Sequence, residues 1–229
     1  ACDTDNRIWV LTVNGNLTLG RFFGTSTATI HKALGLLNIG TISDGGAITV
    51  AGDVICGTGL GNKITLADGS LTLGGKVGDV SVDGDAPLET LQLEGGALNF
   101  NFGATPNPTG SRANVTNLNV PASAVIGVSG SSLSPGTIEL IKYSNFDQAT
   151  QFANLSLSLP SRVVANLVNN TANSSVDLNI VSVSSNKWSG AVNSDWDIDT
   201  TLNWALSPGN TPSKYLQPGV PGEPVTFDD

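Results

Sequence analysis

The feature that most restricts what this chain folds into is an alternation that keeps being broken. Segments such as "LTVNGNLTLG" (11–20), "AITVAGDVI" (47–55), "KITLADGSLTLGG" (63–75), "LQLEGGALNFNFG" (91–103), "NVTNLNV" (114–120) and "SVDLNIVSV" (175–183) place an apolar residue at every second position. Thr, Ser, Asn or Asp fill the positions between. That period is a strand with one face buried. The runs stop at Gly15, Gly52, Gly69 and Gly95–Gly96, residues that accept a positive φ at little cost. Only "TIHKALGLLNIG" (29–40) shows any helical spacing, and it is too short and glycine-broken to predict a helix.

Composition agrees with an all-β chain. Only 13% of the 229 residues are charged, against roughly 25% in ordinary globular proteins. There are 27 glycines and no methionine. A net charge of −9 and a pI near 4.3 exclude a nucleic-acid backbone or an anionic membrane surface as the natural partner. No apolar run approaches the roughly 18 residues of a membrane-spanning helix, so no membrane insertion is expected from this segment. The chain opens at Ala1 without Met, which reads as a processed chain or a fragment.

Two architectures fit the alternation. In an antiparallel arrangement, ending in a β-sandwich, Asp68–Gly69 is a two-residue hairpin turn that sets Leu66 opposite Leu71 and Ile64 opposite Leu73. In a β-solenoid the same glycines are corners, and each winding stacks its apolar residues on the next. The spacing between turns drifts, so it does not decide between them.

A likeness does favour one. The order "LSPGTIELIKYSNF", "SVDLNIVSV", "KWSGAVNSDWDIDTTLNW" and "PVTFDD" resembles bacterial surface and secreted proteins built from autotransporter-associated β-strand repeats. The resemblance is sharp from 135 to 229 and diffuse before. It implies a β-solenoid exoprotein at the cell surface or outside the cell. We therefore expect a right-handed parallel β-solenoid over 1–184 and an irregular, Trp-containing β extension over 185–229. No barrel segment accompanies the likeness, so no translocator role is carried over.

The stretch "KWSGAVNSDWDIDTTLNW" (187–204) holds the strongest candidate site residues. If it were extended, Asp195, Asp197 and Asp199 would share a face and could bind Ca²⁺. The EF-hand pattern fails, however, since Thr200 stands where Gly is needed and Leu206 where the closing Glu would be. Trp188, Trp196 and Trp204, like Trp9, Tyr215 and Phe227, are read as packing or interface anchors, and the first three as a carbohydrate platform second. Cys2 and Cys56 are compatible with one disulfide or with two thiols.

Enzymatic readings find little support. A single histidine, His31, does not assemble a His-based triad or a Cys/His zinc site. Paired carboxylates such as Asp83 and Asp85 sit beside turn glycine, where solvated Asp is ordinary. No cofactor other than Ca²⁺ is expected. The expectation is a non-catalytic structural or adhesive protein, with a carbohydrate-binding module and a polysaccharide-degrading β-helix enzyme as alternatives. A solenoid must cover its end coils, so the partner expected is a second copy or neighbouring repeats end to end, with surface polysaccharide next.

Overall fold

In a computed structural model, the structure describes residues 10–14, 17–19, 36–39, 46–56, 61–78, 86–216 and 225–226. The chain is nearly all β. It winds in layers. β1 (Val10–Val13), β2 (Leu17–Leu19) and β3 (Leu36–Ile39) lie below β4 (Ala47–Val50), β5 (Val54–Cys56) and β6 (Lys63–Leu66). Above these come β7 (Ser70–Leu73) with β8 (Leu88–Leu93), then β9 (Ala97–Asn101) with β10 (Ala113–Asn119), then β11 (Ala124–Ser129) with β12 (Gly136–Phe146).

Strands of successive layers pair in parallel. One sheet runs β1-β4-β7-β9-β11 and closes on β13 (Leu155–Ser158), and the opposite sheet runs β3-β6-β8-β10-β12. Between them β2 pairs with β5, and single bridges continue that third side from Val54 to Val77 to Ala113. The backbone at Val54 and Val77 keeps the ladder: Val54 N–H donates to Lys76 O (2.7 Å) and Val77 N–H to Arg112 O (2.8 Å). This is a β-solenoid. β6 and β7, which the hairpin reading joins across Asp68–Gly69, do not pair; each bonds to the layers before and after it. "DVSVDGD" (79–85) lies outside the described residues.

The core is the sum of columns. Leu71, Leu98 and Ile126 occupy matching register positions and are all buried, as are Leu73, Phe100 and Val128 beside them. Across the interior, Ile64, Leu91 and Leu118 form a second column and Leu88, Val115 and Tyr143 a third. One layer alone exposes both sides of its apolar row; stacking removes each side from water.

Corners allow this stacking only if they are small. At Gly95 an added Cβ would lie 2.2 Å from Ala67 O of the layer below. At Gly96, where φ is +62°, it would lie 2.1 Å from Gly69 O. The corner after β10 is closed differently. There α1 (Gln148–Gln151) and the 3-10 turn Phe152–Asn154 reach back: Gln151 Oε1 accepts from Val120 N–H (2.6 Å) and Asn154 Nδ2 donates to Val120 O (2.8 Å).

Parallel stacking ends at one place. After β13 the chain forms the antiparallel pair β14 (Val163–Asn170) and β15 (Ser175–Val183), and β15 pairs antiparallel with β12. Val176, Leu178 and Ile180 of β15 are buried, continuing the core past the last parallel strand.

Leu98→Ala is expected to cost about 2–5 kcal/mol, by the lost transfer energy and the cavity left in its column. Gly96→Ala is expected to cost more than the roughly 1–2 kcal/mol of an alanine in the left-handed region, because the Cβ also meets Gly69 O. Thr72→Ser, on the outer surface, is expected to stay within about 0.5 kcal/mol of the parent. Urea unfolding followed by far-UV circular dichroism measures all three.

Candidate functional site

The last solenoid strand ends at Val183, and a separate four-stranded sheet begins at Ser185. It consists of β16 (Ser185–Trp188), β17 (Trp204–Ser207), β18 (Thr211–Ser213) and β19 (Val225–Thr226), in the order β18-β17-β16-β19. β16 and β17 are antiparallel, which sets Trp188 directly opposite Trp204. The residues between them leave the sheet and return, carrying Trp196 back to the other two rings. The extended segment considered for 187–204 is therefore not formed, and the three tryptophans meet by return of the chain.

Their rings make a packed cluster. Trp188 and Trp196 stack with centroids 5.8 Å apart and planes at 15°. Trp204, fully buried, meets Trp188 edge-on at 5.0 Å and Trp196 at 4.8 Å. Tyr215 joins at 5.4 Å from Trp204 and 6.1 Å from Trp196. Such edge and offset contacts suit the aromatic quadrupoles. The flat, outward row of rings that a carbohydrate platform needs is absent from this arrangement, although Trp196 remains 52% exposed.

The residue that holds the excursion is Asn203, which sequence reasoning passed over. It is fully buried. Its Oδ1 accepts from Val192 N–H and Asn193 N–H, each at 2.9 Å. Its Nδ2 donates to Asp195 O (2.8 Å) and to Asn193 Oδ1. Its carbonyl accepts from Ser189 N–H, Gly190 N–H and the Ser189 hydroxyl. One side chain thus satisfies backbone groups that a loop over an apolar cluster would otherwise leave unpaired. The sequence signal was the pair Asn203–Trp204, a buried amide next to a buried ring.

The carboxylates are dispersed. Asp195 contributes its backbone to this network, with its N–H donating to Asn193 Oδ1 (3.0 Å). Asp197 accepts from Thr201 N–H and Thr201 Oγ1, both at 2.8 Å, in a local turn. Asp199, at φ +51°, lies 3.6 Å from Lys214. The segment is not a strand, so the shared face expected for Ca²⁺ does not form, and among the described residues no three His, Cys, Asp or Glu side chains gather to hold a metal. Cys56 is buried, while Cys2, Trp9 and Phe227 lie outside the described residues.

Two further polar sites occur in the solenoid. Arg112 reaches down to the preceding layer, with Nη2 donating to Gly74 O (3.1 Å) and Gly75 O (2.7 Å), and stands over the Phe102 ring. Burial lowers its pKa while the charge of Asp53 opposes that shift. Asp177, buried on β15, accepts from the Ser175 hydroxyl (2.7 Å) and Asn170 Nδ2 (2.8 Å). Desolvation, and then the Asp177 charge, raise the pKa of Tyr143. Each ties neighbouring strands together.

Comparison with protein-family models, with curated proteins and with solved structures finds no match to this chain. Function must be argued from the fold and the site.

Replacing Asn203 by Ala removes its side-chain bonds to Val192 N–H, Asn193 N–H and Asp195 O, about 0.5–1.5 kcal/mol each, so the loop should come loose while the solenoid stays folded. Tryptophan emission should shift to the red and acrylamide quenching should rise, with little change in far-UV circular dichroism. A pH effect follows from Asp197. Its carboxyl is held below the ordinary carboxylate range, chiefly by the Thr201 N–H, with the Thr201 hydroxyl adding to it. A depressed native pKa stabilises above the unfolded value, near 3.9, and that contribution is lost as pH falls through the lower native value. Below about pH 4 the tryptophan emission should therefore change, and Asp197→Asn should remove that step.

Proposed function

We propose that the protein is a non-catalytic structural or adhesive element of a bacterial cell surface or extracellular matrix, and that its solenoids associate end to end. The observation that carries this reading is the fading of burial along the stack. Leu98 and Ile126 are fully enclosed, whereas Leu155, Leu157 and Leu159 of the next layer, on and just after β13, are only half-buried against the core. A column whose last members are half covered gains stability from one more layer. β13 is also an edge strand whose outward residues, Ser156 and Ser158, carry no charge to discourage pairing.

The setting at a cell surface rests on the likeness to autotransporter-associated β-strand repeats together with the outer faces of the solenoid. One face presents Thr49, Thr72, Asn99 and Ser158 in register, and the other Thr90, Asn117 and Asn145, where Asn145 Nδ2 donates to Asn117 Oδ1 (3.1 Å). These are short polar side chains, with Lys63 in register below Thr90 adding a charge, and they suit a passive rod.

Light scattering coupled to gel filtration, across a concentration series, tests the association. Growth of the particle with concentration is expected, and Ser158→Arg, which charges the edge without entering the core, should return it to monomer. A parent chain that stays monomeric at every concentration contradicts the end-to-end reading.

A further inference from the structure

The two sheets of the solenoid start level and end unequal. β1 and β3 open them within one winding, but the first sheet has six strands and closes on β13, whereas the opposite one has seven and closes on β14. β14 therefore stands one strand beyond β13, with no described strand facing it at its own level. Register gives the residues of its inner face. Ala165 pairs with Ile180 and Leu167 with Leu178, both buried, so all four share the core side of the sheet. Val163, Ala165 and Leu167 are only half-buried against the core, as are Leu155, Leu157 and Leu159 on and just after β13. The stack thus ends in a ledge one strand high, with apolar residues along its floor and its wall. We propose that a second copy of this chain fills the ledge by a two-fold contact, β14 of each copy lying on β13 of the other.

A step of one strand is self-complementary under one rotation. Turning a copy by half a turn about an axis along the strands, midway between the sheets, inverts the stack and exchanges the sheets. β14 of the second copy then takes the missing level above β13, and β14 of the first copy takes the same level on the second. The inner faces of the two β14 strands come opposite each other, and each covers Leu155, Leu157 and Leu159 of the other copy. Strands on the two sides of a winding run in roughly opposite directions, so each new strand pair is antiparallel. Such a contact is isologous and closes at two copies.

Head-to-tail stacking fits this end less well. If β1 of a second copy took the level above β13, its β3 would need the level that β14 already holds, because β1 and β3 start together. The edges themselves admit a partner. Neither Leu155–Ser158 nor Val163–Asn170 contains a charged residue or a proline, and no described strand pairs with the outer edge of β13 or of β14. Arg162, the charge next to β14 in sequence, donates to Lys214 O and is held within its own chain. The inference rests on the end-to-end reading above and specifies its joint: which strands meet, in which sense, and that the joint closes.

Hydrogen exchange of the full chain, read by mass spectrometry in dilute and concentrated solution with the particle mass followed by light scattering, tests it. The mass should stop at two copies. Amides of β13 and β14 should gain protection on concentration, while those of β1 should not. Ala165→Lys should weaken the pair at least about ten-fold, because its ammonium reaches water over the open ledge of a single chain but is enclosed in the pair. Should that variant lose the parent's circular dichroism, the exchange pattern of the parent decides alone. Growth past two copies, protection of β13 together with β1, or a pair that a folded Ala165→Lys leaves intact overturns the two-fold contact and leaves end-to-end association standing. A two-copy particle in which β14 gains no protection does the same. A parent that stays single at every concentration overturns both.

Discussion

Every part of the solenoid depends on apolar side chains of one winding lying against those of the next. Leu98 sits between Leu71 and Ile126, and no neighbour on its own strand could cover it in their place. A strand has only two sides, and the inward one is buried here by the layers above and below. The glycine corners follow from the same requirement. Gly95 and Gly96 lie so close to Ala67 and Gly69 that any side chain would push the layers apart. Arg112 uses the closeness in another way, spending its guanidinium on carbonyls of the preceding layer.

The C-terminal sheet solves a different problem. It has too few residues for a stack, so it packs rings. An indole cluster needs the chain to leave and re-enter the sheet, and that excursion exposes backbone polar groups beside apolar surface. Asn203 meets them with one amide and one carbonyl. The joint to the solenoid is polar as well: Arg162 Nη2 donates to Lys214 O (2.8 Å) and Arg162 O accepts from Ser184 N–H (2.9 Å).

What could be read from the sequence was the alternation, and it was read correctly where strands are short. "AITV", "KITL" and "SLTL" became β4, β6 and β7 with alternate residues inside. The partner of each strand was not legible from local spacing, because Asp68–Gly69 suits a hairpin turn and a solenoid corner equally well. The uneven winding lengths, Ala47 above Val10 but Ser70 above Ala47, removed the repeat that would have chosen. The antiparallel β14–β15 pair was also missed, since its strands alternate like the others. In the C-terminal stretch, the even spacing of the tryptophans and of Asp195, Asp197 and Asp199 suggested shared faces. Spacing has that meaning only in an extended chain, and a buried asparagine turns this one back on itself.

The solenoid gives length, its final layer is only half-buried, and the C-terminal sheet holds a packed tryptophan cluster. The solenoid rests on the stacking of parallel layers. Methyl-labelled nuclear Overhauser spectroscopy measures that stacking most directly. A continuous string of contacts from Leu71 to Leu98 to Ile126, with a second from Ile64 to Leu91 to Leu118, is the result expected. Pairing confined to Leu66 with Leu71 and Ile64 with Leu73, without those strings, would show hairpins in place of a solenoid and would contradict the account.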